Sequence, residues 1–122
     1  MAESTNIASK LLIKSGHRII VRHCPDEFVE VFKELGAAFD RGTIAEITLS
    51  FVRMQNDVDN ASKEAIALTA PGGILWMAYP EKSDTITWES FMRAGWQPES
   101  QIAIDETWSA LRFSPKEDSK GR

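Results

Sequence analysis

The residue best suited to covalent chemistry is a lone cysteine, Cys24, which follows an apolar segment and precedes a predicted helix. A thiol at a helix N-terminus can lose its proton more readily, and the adjacent His23 suggests an activating base. Neighbouring side chains in an extended segment point to opposite faces, however, and the carboxylates of Asp26 and Glu27 oppose a thiolate. We therefore interpret Cys24 as a half-buried structural cysteine and predict no catalytic residue.

The two histidines, His17 and His23, are poorly spaced for a shared metal ion. They fall on one predicted strand, where they share a face but lie roughly 20 Å apart. The chain has one cysteine and no HxH, HxxxH or CxxC spacing. The sequence therefore predicts neither a metal site nor a disulfide.

Composition excludes several classes of function. The chain has 122 residues, of which 43% are hydrophobic and 26% are charged, as expected for one globular domain over 1–122 with frayed ends at about 1–5 and 115–122. The formal net charge of -4 argues against nucleic-acid binding. There is neither a membrane-spanning apolar run nor a secretory signal, and with a single cysteine we expect a cytoplasmic protein without membrane contact.

Strand and helix patterns alternate along the chain. A short helix is predicted over 6–14, and strands are predicted over 17–23, 46–52, 74–79, 101–104 and 108–113. Further helices are predicted from about 26 to 35, over 57–69 with Pro71-Gly72-Gly73 as the stop, and from 83–85 to near Gly95. This alternation indicates an α/β sheet with parallel strands and a closing antiparallel hairpin.

The segment Leu68–Trp76 resembles the second half of a class I methyltransferase, where a helix ends at a Pro-Gly-Gly turn before a buried strand. With residues 12–18, 79–83 and 104–113, the chain is similar to a family of small bacterial proteins that have a truncated class I methyltransferase-like fold and no assigned activity. The resemblance touches most of residues 11–114. It implies a small Rossmann-like α/β sandwich of two or three layers. Its five-stranded, mostly parallel sheet would have the order 1-2-3-5-4, with the last strand antiparallel.

The sequence departs from the methyltransferase pattern at the cofactor loop. Enzymes that bind S-adenosylmethionine usually have a glycine-rich loop after the first strand, where this chain has His23-Cys24-Pro25-Asp26. Residues 36–45 are also too few for the two strands and helix that normally follow. We therefore expect two missing strands, a first strand at the sheet edge, loss of the strand-order reversal, and no bound cofactor.

The resemblance places several polar and aromatic side chains at the carboxyl edge of the sheet, where α/β proteins bind ligands. An ion pair of Lys82 with Asp105 or Glu106 would tie two loops together, whereas a small-ligand pocket is the alternative. Asp105 can also simply bond its own turn. The candidate pocket residues are His23, Cys24, Tyr79, Lys82, Ser83, Asp105, Glu106 and Trp108.

Without cofactor chemistry, the sequence favours a non-catalytic binding or interaction domain. The alternative is a small enzyme or small-ligand sensor that uses the carboxyl edge.

Self-association is a further expectation. Right-handed crossovers between the first three strands would place both connecting helices on one face of the sheet. The third strand is nevertheless apolar on both faces, because Leu75, Met77 and Tyr79 alternate with Ile74, Trp76 and Ala78. The N-terminal helix, the 36–45 segment or a second subunit must then cover the other face, and we expect a homodimer.

Overall fold

Strands and helices alternate through the part of the chain that the computed structural model describes, which is residues 7, 9–14, 16–39, 44–82 and 86–115. The strands are β1 (Ile19–Arg22), β2 (Ala45–Phe51), β3 (Thr69–Pro80), β4 (Trp96–Ala103) and β5 (Trp108–Pro115). The helices between them are α1 (Asp26–Glu34), α2 (Gln55–Leu68) and α3 (Glu89–Arg93). Within these residues no helix is long and apolar enough to cross a membrane.

The strands form one mixed sheet in the order β1-β2-β3-β5-β4. β1 pairs parallel to β2 and β2 parallel to β3, whereas β5 runs antiparallel to both β3 and β4. The predicted Rossmann-like α/β fold, its strand order and its reversed last strand are therefore confirmed.

Several element boundaries differ from the prediction. β1 begins at Ile19 because the chain before it is turned back, with the His17 backbone N–H donating to the Lys14 carbonyl. The N-terminal helical turn, which contains Ile7, Ser9 and Lys10, ends at Leu12, whose φ of 64° is left-handed. α3 begins only at Glu89, and the predicted capping residues 83–85 lie outside the described part of the chain.

The Pro71-Gly72-Gly73 segment belongs to β3, which corrects the prediction that it ends the preceding helix. α2 ends at Leu68 and β3 starts at once with Thr69. The pairs Ala45–Thr69 and Ile47–Ile74 bracket a bulge, because one residue of β2 faces four residues of β3 there. Gly72 allows this bulge by its φ of 79°.

A short segment after α1 pairs with the outer edge of β1. The Ala38 backbone N–H donates to the Ile19 carbonyl over 2.9 Å, and the Val21 N–H donates to the Ala38 carbonyl over 2.8 Å. This parallel bridge puts Ala38 on the side of β1 that faces away from β2. β1 is therefore not the bare edge that the sequence predicted, and the chain reverses its direction across the sheet between β1 and β2.

The helices lie on both faces of the sheet, which corrects the prediction of a single helical face. Phe28 and Phe32 of α1 pack in one cluster with Ile47 and Leu49. α2 and α3 pack in a second cluster on the opposite face, formed by Val58, Ala61, Ala65, Phe91, Leu75 and Met77. The reason is the Ala38 bridge: α1 leads away from β2 and α2 leads towards β3, so right-handed crossovers place the two helices on opposite faces.

Both faces of the sheet are covered by helices of the same chain, so a second subunit is not needed to cover either face. The homodimer was predicted from that need. Leu75 and Met77 are both fully buried within the chain. Trp76 on the other face is buried as predicted, and its indole N–H donates to the Leu11 carbonyl over 3.1 Å, which attaches the N-terminal turn to the sheet. Self-association stays a prediction that this packing does not require.

The bulge in β3 generates a prediction for Gly73. A Cβ added there would lie 2.7 Å from the Glu46 carbonyl oxygen and 2.9 Å from that of Ala70, both backbone atoms that cannot move aside. We expect Gly73→Ala to lower the free energy of unfolding by about 1–3 kcal/mol, as overpacking does. Urea denaturation measures this, with Gly72→Asn as the control because open space surrounds Gly72 and asparagine tolerates a left-handed φ. Equal stability of Gly73→Ala and the wild type would contradict the bulge geometry.

The amino edge of the sheet is held by an ion pair between Arg18 and Glu46. The Arg18 guanidinium donates to Glu46 Oε2 over 2.7 Å, and the Arg18 backbone N–H donates to Oε1 over 2.7 Å. These bonds lower the pKa of Glu46 from 4.5 to about 2. A lowered folded-state pKa stabilises the protein above the unfolded pKa, so this contribution is lost as pH falls from about 4.5 to about 2.

We expect Glu46→Gln to melt at a lower temperature than the wild type at pH 7, and this difference to shrink on acidification through that window. Melting temperatures of both proteins between pH 2 and pH 7 measure it, with Glu81→Gln as a control for loss of an exposed carboxylate. A gap in melting temperature that stays constant down to pH 2 would contradict the assigned ion pair.

Candidate functional site

The carboxyl ends of β1 and β2 lie where the chain, after pairing at Ala38 on the outer side of β1, returns across the sheet to form β2. Open α/β sheets bind ligands where the chain changes direction in this way. β1 ends at Arg22 and is followed by His23, and β2 ends at Phe51 and is followed by Arg53 two residues later. A cavity of about 240 Å³ opens here, which we call the switch cavity. Its lining residues are His23, Phe51, Arg53, Asp57, Asn60, Ala61 and Glu64.

The loop after β1 makes a left-handed turn without glycine. His23 adopts a φ of 59°, a conformation that costs an L-residue roughly 1–2 kcal/mol and that glycine adopts freely. Pro25 follows in an extended conformation at the start of α1 and is buried. The turn that glycine usually makes in this fold is therefore present, but with an exposed imidazole attached to it.

Cys24 is a half-buried thiol that donates to the Pro25 carbonyl over 3.4 Å. Burial is the main cause that raises its pKa to about 11, and the negative charges of Asp26 and Glu27 add to the shift. A thiol with this pKa is almost entirely protonated at neutral pH and is a poor nucleophile. The geometry supports the interpretation of Cys24 as a structural residue.

Arg22 connects three parts of the molecule beside the switch cavity. Its guanidinium donates to the Phe39 carbonyl over 3.1 Å and forms an ion pair with Glu64 of α2 at 3.2 Å. The Arg22 side chain is 20% exposed, so these bonds are partly screened from solvent. They fix the segment after Ala38 against β1 and α2, and they occupy the Glu64 carboxylate.

Arg53 is the residue of this edge that the sequence analysis missed. Its guanidinium carbon lies 5.3 Å from the centroid of the Trp108 ring, which is within cation–π range. Trp108 is buried and packs edge-on against Phe51 with ring centroids 5.1 Å apart. The position of Arg53 in the sequence could have indicated it, because Arg53 comes shortly after β2, and His23 comes directly after β1.

A second cavity, of about 320 Å³, lies at the same edge on the α1 face, and we call it the hairpin cavity. The Lys10 ammonium group donates to the Ala103 carbonyl over 2.9 Å at its side, which holds the N-terminal turn against the end of β4. Apolar and acidic side chains line it together with Lys10: Ile7, Glu27, Phe28, Val31, Ile104 and Asp105.

The structure separates the remaining candidate residues. Asp105 Oδ1 accepts the backbone N–H groups of Thr107 and Trp108, each over 2.8 Å, so it caps its own turn. Lys82 and Glu106 are exposed, and the ion pairs among the described residues include none that joins Lys82 to the hairpin. The two loops do meet at the same edge as predicted, because the Glu81 backbone N–H donates to the Thr107 carbonyl over 2.7 Å.

Tyr79 faces the α2 side of the sheet, away from the hairpin cavity. Its hydroxyl accepts from the Gln101 amide over 2.6 Å, and its ring packs edge-on against Trp88 at 5.5 Å. Burial, with a smaller contribution from Glu81, raises its pKa. Ser83 lies outside the described residues. Over the rest of the chain that is described, no three His, Cys, Asp or Glu side chains come together as a metal site would need.

Comparisons with known proteins concern the fold. No protein-family profile matches the sequence. No curated protein matches it either. Among solved structures, the chain is similar to a glycopeptide N-methyltransferase, MtfA, complexed with sinefungin, with a TM-score of 0.65 at 8% identity over 93% of this chain and 92% of that one.

Two further structures have the same arrangement. A TehB-like methyltransferase from Corynebacterium glutamicum that depends on S-adenosylmethionine has a TM-score of 0.60 at 10% identity, covering 93% of this chain and 88% of its own. Aeropyrum pernix fibrillarin with natively bound S-adenosylmethionine has a TM-score of 0.60 at 11% identity, covering 93% and 73%. At such identities the likeness is one of fold alone. The chain has a class I methyltransferase-like fold.

Proposed function

We propose that this protein is a non-catalytic binding domain built on a methyltransferase-like fold. The observation that carries the proposal is the loop after β1, which turns at His23 instead of glycine. In the nucleotide-binding sheets of this class, glycine lets the backbone approach the cofactor because no side chain intervenes. Here an imidazole and the ring of Pro25 occupy that stretch.

The residues around the loop do not fit S-adenosylmethionine. Asp26 and Glu27 put two carboxylates into the first turn of α1, where they repel the carboxylate of an amino-acid moiety. On the other side of β1, Arg22 is already engaged with the Phe39 carbonyl and Glu64. These residues therefore do not support methyl transfer at this site.

The states of Cys24 and Asp105 support the same proposal. Cys24 is held as a thiol, and the Asp105 carboxylate is occupied by its own turn. These two groups of the edge are thus a protonated thiol and a carboxylate engaged in structural hydrogen bonds. Binding is the property that the arrangement offers.

The alternative is a small enzyme or ligand sensor, and the two cavities at the carboxyl edge favour it. A ligand that binds in these cavities without being converted to a product would be compatible with the primary proposal. Product formation during incubation would distinguish a catalyst from a binding domain.

We expect no binding of S-adenosylmethionine or S-adenosylhomocysteine in the micromolar range by isothermal titration calorimetry. Thermal-shift measurements should agree, since a ligand at 100 times its Kd adds about 2.7 kcal/mol of stability to a folded protein. The double variant His23→Gly with Pro25→Gly tests whether these two side chains prevent cofactor binding, because it leaves a bare backbone in the loop after β1. Micromolar binding by the wild type would contradict the proposal.

We expect the native Cys24 thiol to react slowly with a thiol reagent. Because its pKa is about 11 against an ordinary 9.0, the thiolate fraction at pH 7.5 should be about 100-fold lower than for an unperturbed thiol. Stopped-flow labelling from pH 6 to pH 10 measures this, with protein in guanidinium chloride as the unfolded control. Rapid labelling of the native protein at pH 6 would show an activated thiolate.

A further inference from the structure

The charged groups that line the switch cavity differ in whether the described residues supply them with a hydrogen-bond or ion-pair partner. Glu64 is paired with Arg22 at 3.2 Å, and Asp57 Oδ2 accepts the Arg53 backbone N–H over 2.9 Å. Both carboxylates that line the cavity therefore already hold a donor. The Arg53 guanidinium, by contrast, has no carboxylate partner among the described residues and interacts with the face of Trp108.

The contact with Trp108 leaves the hydrogen-bond donors of the guanidinium available. A cation–π contact is an attraction between the charge and the ring, so it does not use up the five N–H donors of the group. The stack also restricts the rotation of a long side chain, which lowers the entropy cost of forming new hydrogen bonds. Arg53 is thus an oriented cation at the rim of the cavity, with its donors unused by any described carboxylate.

The rest of the cavity limits the ligand in size and charge. A volume of about 240 Å³ is below the ~300 Å³ at which drug-sized pockets begin. Phe51 and Ala61 supply an apolar wall, and Asn60 supplies an amide that can donate or accept. The nearby carboxylates of Asp57 and Glu64 disfavour a second negative charge on the ligand.

We propose that the switch cavity binds a small monocarboxylic acid, with its carboxylate on the Arg53 guanidinium and its apolar part against Phe51 and Ala61. Arginine and carboxylate match in geometry through two parallel hydrogen bonds. His23 and Asn60 lie beside the same cavity and offer further donors. This inference rests on the proposed function, because it names the ligand class of a binding domain.

The experiment is an amide-shift titration of the 15N-labelled full chain with sodium benzoate. Benzoate should shift the amide signals of His23, Arg53 and Asn60 saturably, with a Kd on the order of millimolar for so small a ligand. Benzamide, which has the same ring but no charge, should bind at least about tenfold more weakly. Inorganic phosphate, which is largely dianionic at pH 7.5, should also bind more weakly than benzoate.

Variants assign the effect to Arg53. Arg53→Gln should weaken benzoate binding by about tenfold or more. Because this change also disturbs the Trp108 stack, Asn60→Asp is the second variant. It adds a like charge to the cavity from an exposed position and should weaken binding similarly. Arg93→Gln is the matched control, since Arg93 lies on α3 in a surface pair with Glu89 and should leave binding unchanged.

The proposal is overturned if benzoate gives no saturable shift, if benzamide binds equally well, or if phosphate binds more tightly. It is also overturned if both cavity variants bind benzoate as the wild type does. These failures leave the proposed function intact when S-adenosylmethionine still does not bind. Micromolar binding of S-adenosylmethionine would instead remove the proposed function, whatever benzoate does.

Discussion

The arrangement of the molecule depends on the pairing of a single residue, Ala38, with the outer edge of β1. This pairing satisfies the Ile19 carbonyl and the Val21 N–H, which an edge strand would otherwise leave open. It also forces α1 to cross on one side of β1 and α2 on the other. As a result both faces of the sheet are covered by the chain. The chain also changes its direction across the sheet between the Ala38 bridge and β2, where the switch cavity opens.

The same constraint redistributes the polar groups at the carboxyl edge. Holding the segment after Ala38 in place requires Arg22, which takes the Phe39 carbonyl and the Glu64 carboxylate. With Glu64 neutralised by Arg22 and Asp57 turned to a backbone N–H, Arg53 is left as the exposed cation of the cavity. Its stacking partner, Trp108, belongs to β5, so the closing hairpin contributes to ligand recognition without lining the cavity itself.

Apolar periodicity and the resemblance of Leu68–Trp76 to a methyltransferase allowed three features to be predicted. These are the strand order, the reversed last strand and the burial of Trp76. The faces of the helices were not predictable, since they depend on one bridge in a segment that has no strand pattern of its own. Thr48 and Ser50 of β2 are polar residues, yet both are buried beside the α2 cluster, and neither hydroxyl has a hydrogen-bond partner among the residues that the structure describes. Of the candidate pocket residues, His23 lines the switch cavity and Trp108 packs against Arg53 beside it. The predicted ion pair of Lys82 with Asp105 or Glu106 is not among the ion pairs of the described residues, and Asp105 Oδ1 accepts the N–H groups of its own turn instead.

A side chain at the left-handed position after β1 has opposite effects on a ligand that needs bare backbone and on a ligand that is recognised by side chains. Glycine there would lower the strain of the turn, but it would also remove the imidazole that lines the switch cavity. The strain at His23 costs roughly 1–2 kcal/mol and persists because Pro25 and the packing of Cys24 fix the chain on the far side. A loop that keeps the turn with histidine in place of glycine thus puts a side chain where a ligand that needs bare backbone would approach. It favours one that is recognised by side chains, and Arg53 is positioned to supply that recognition.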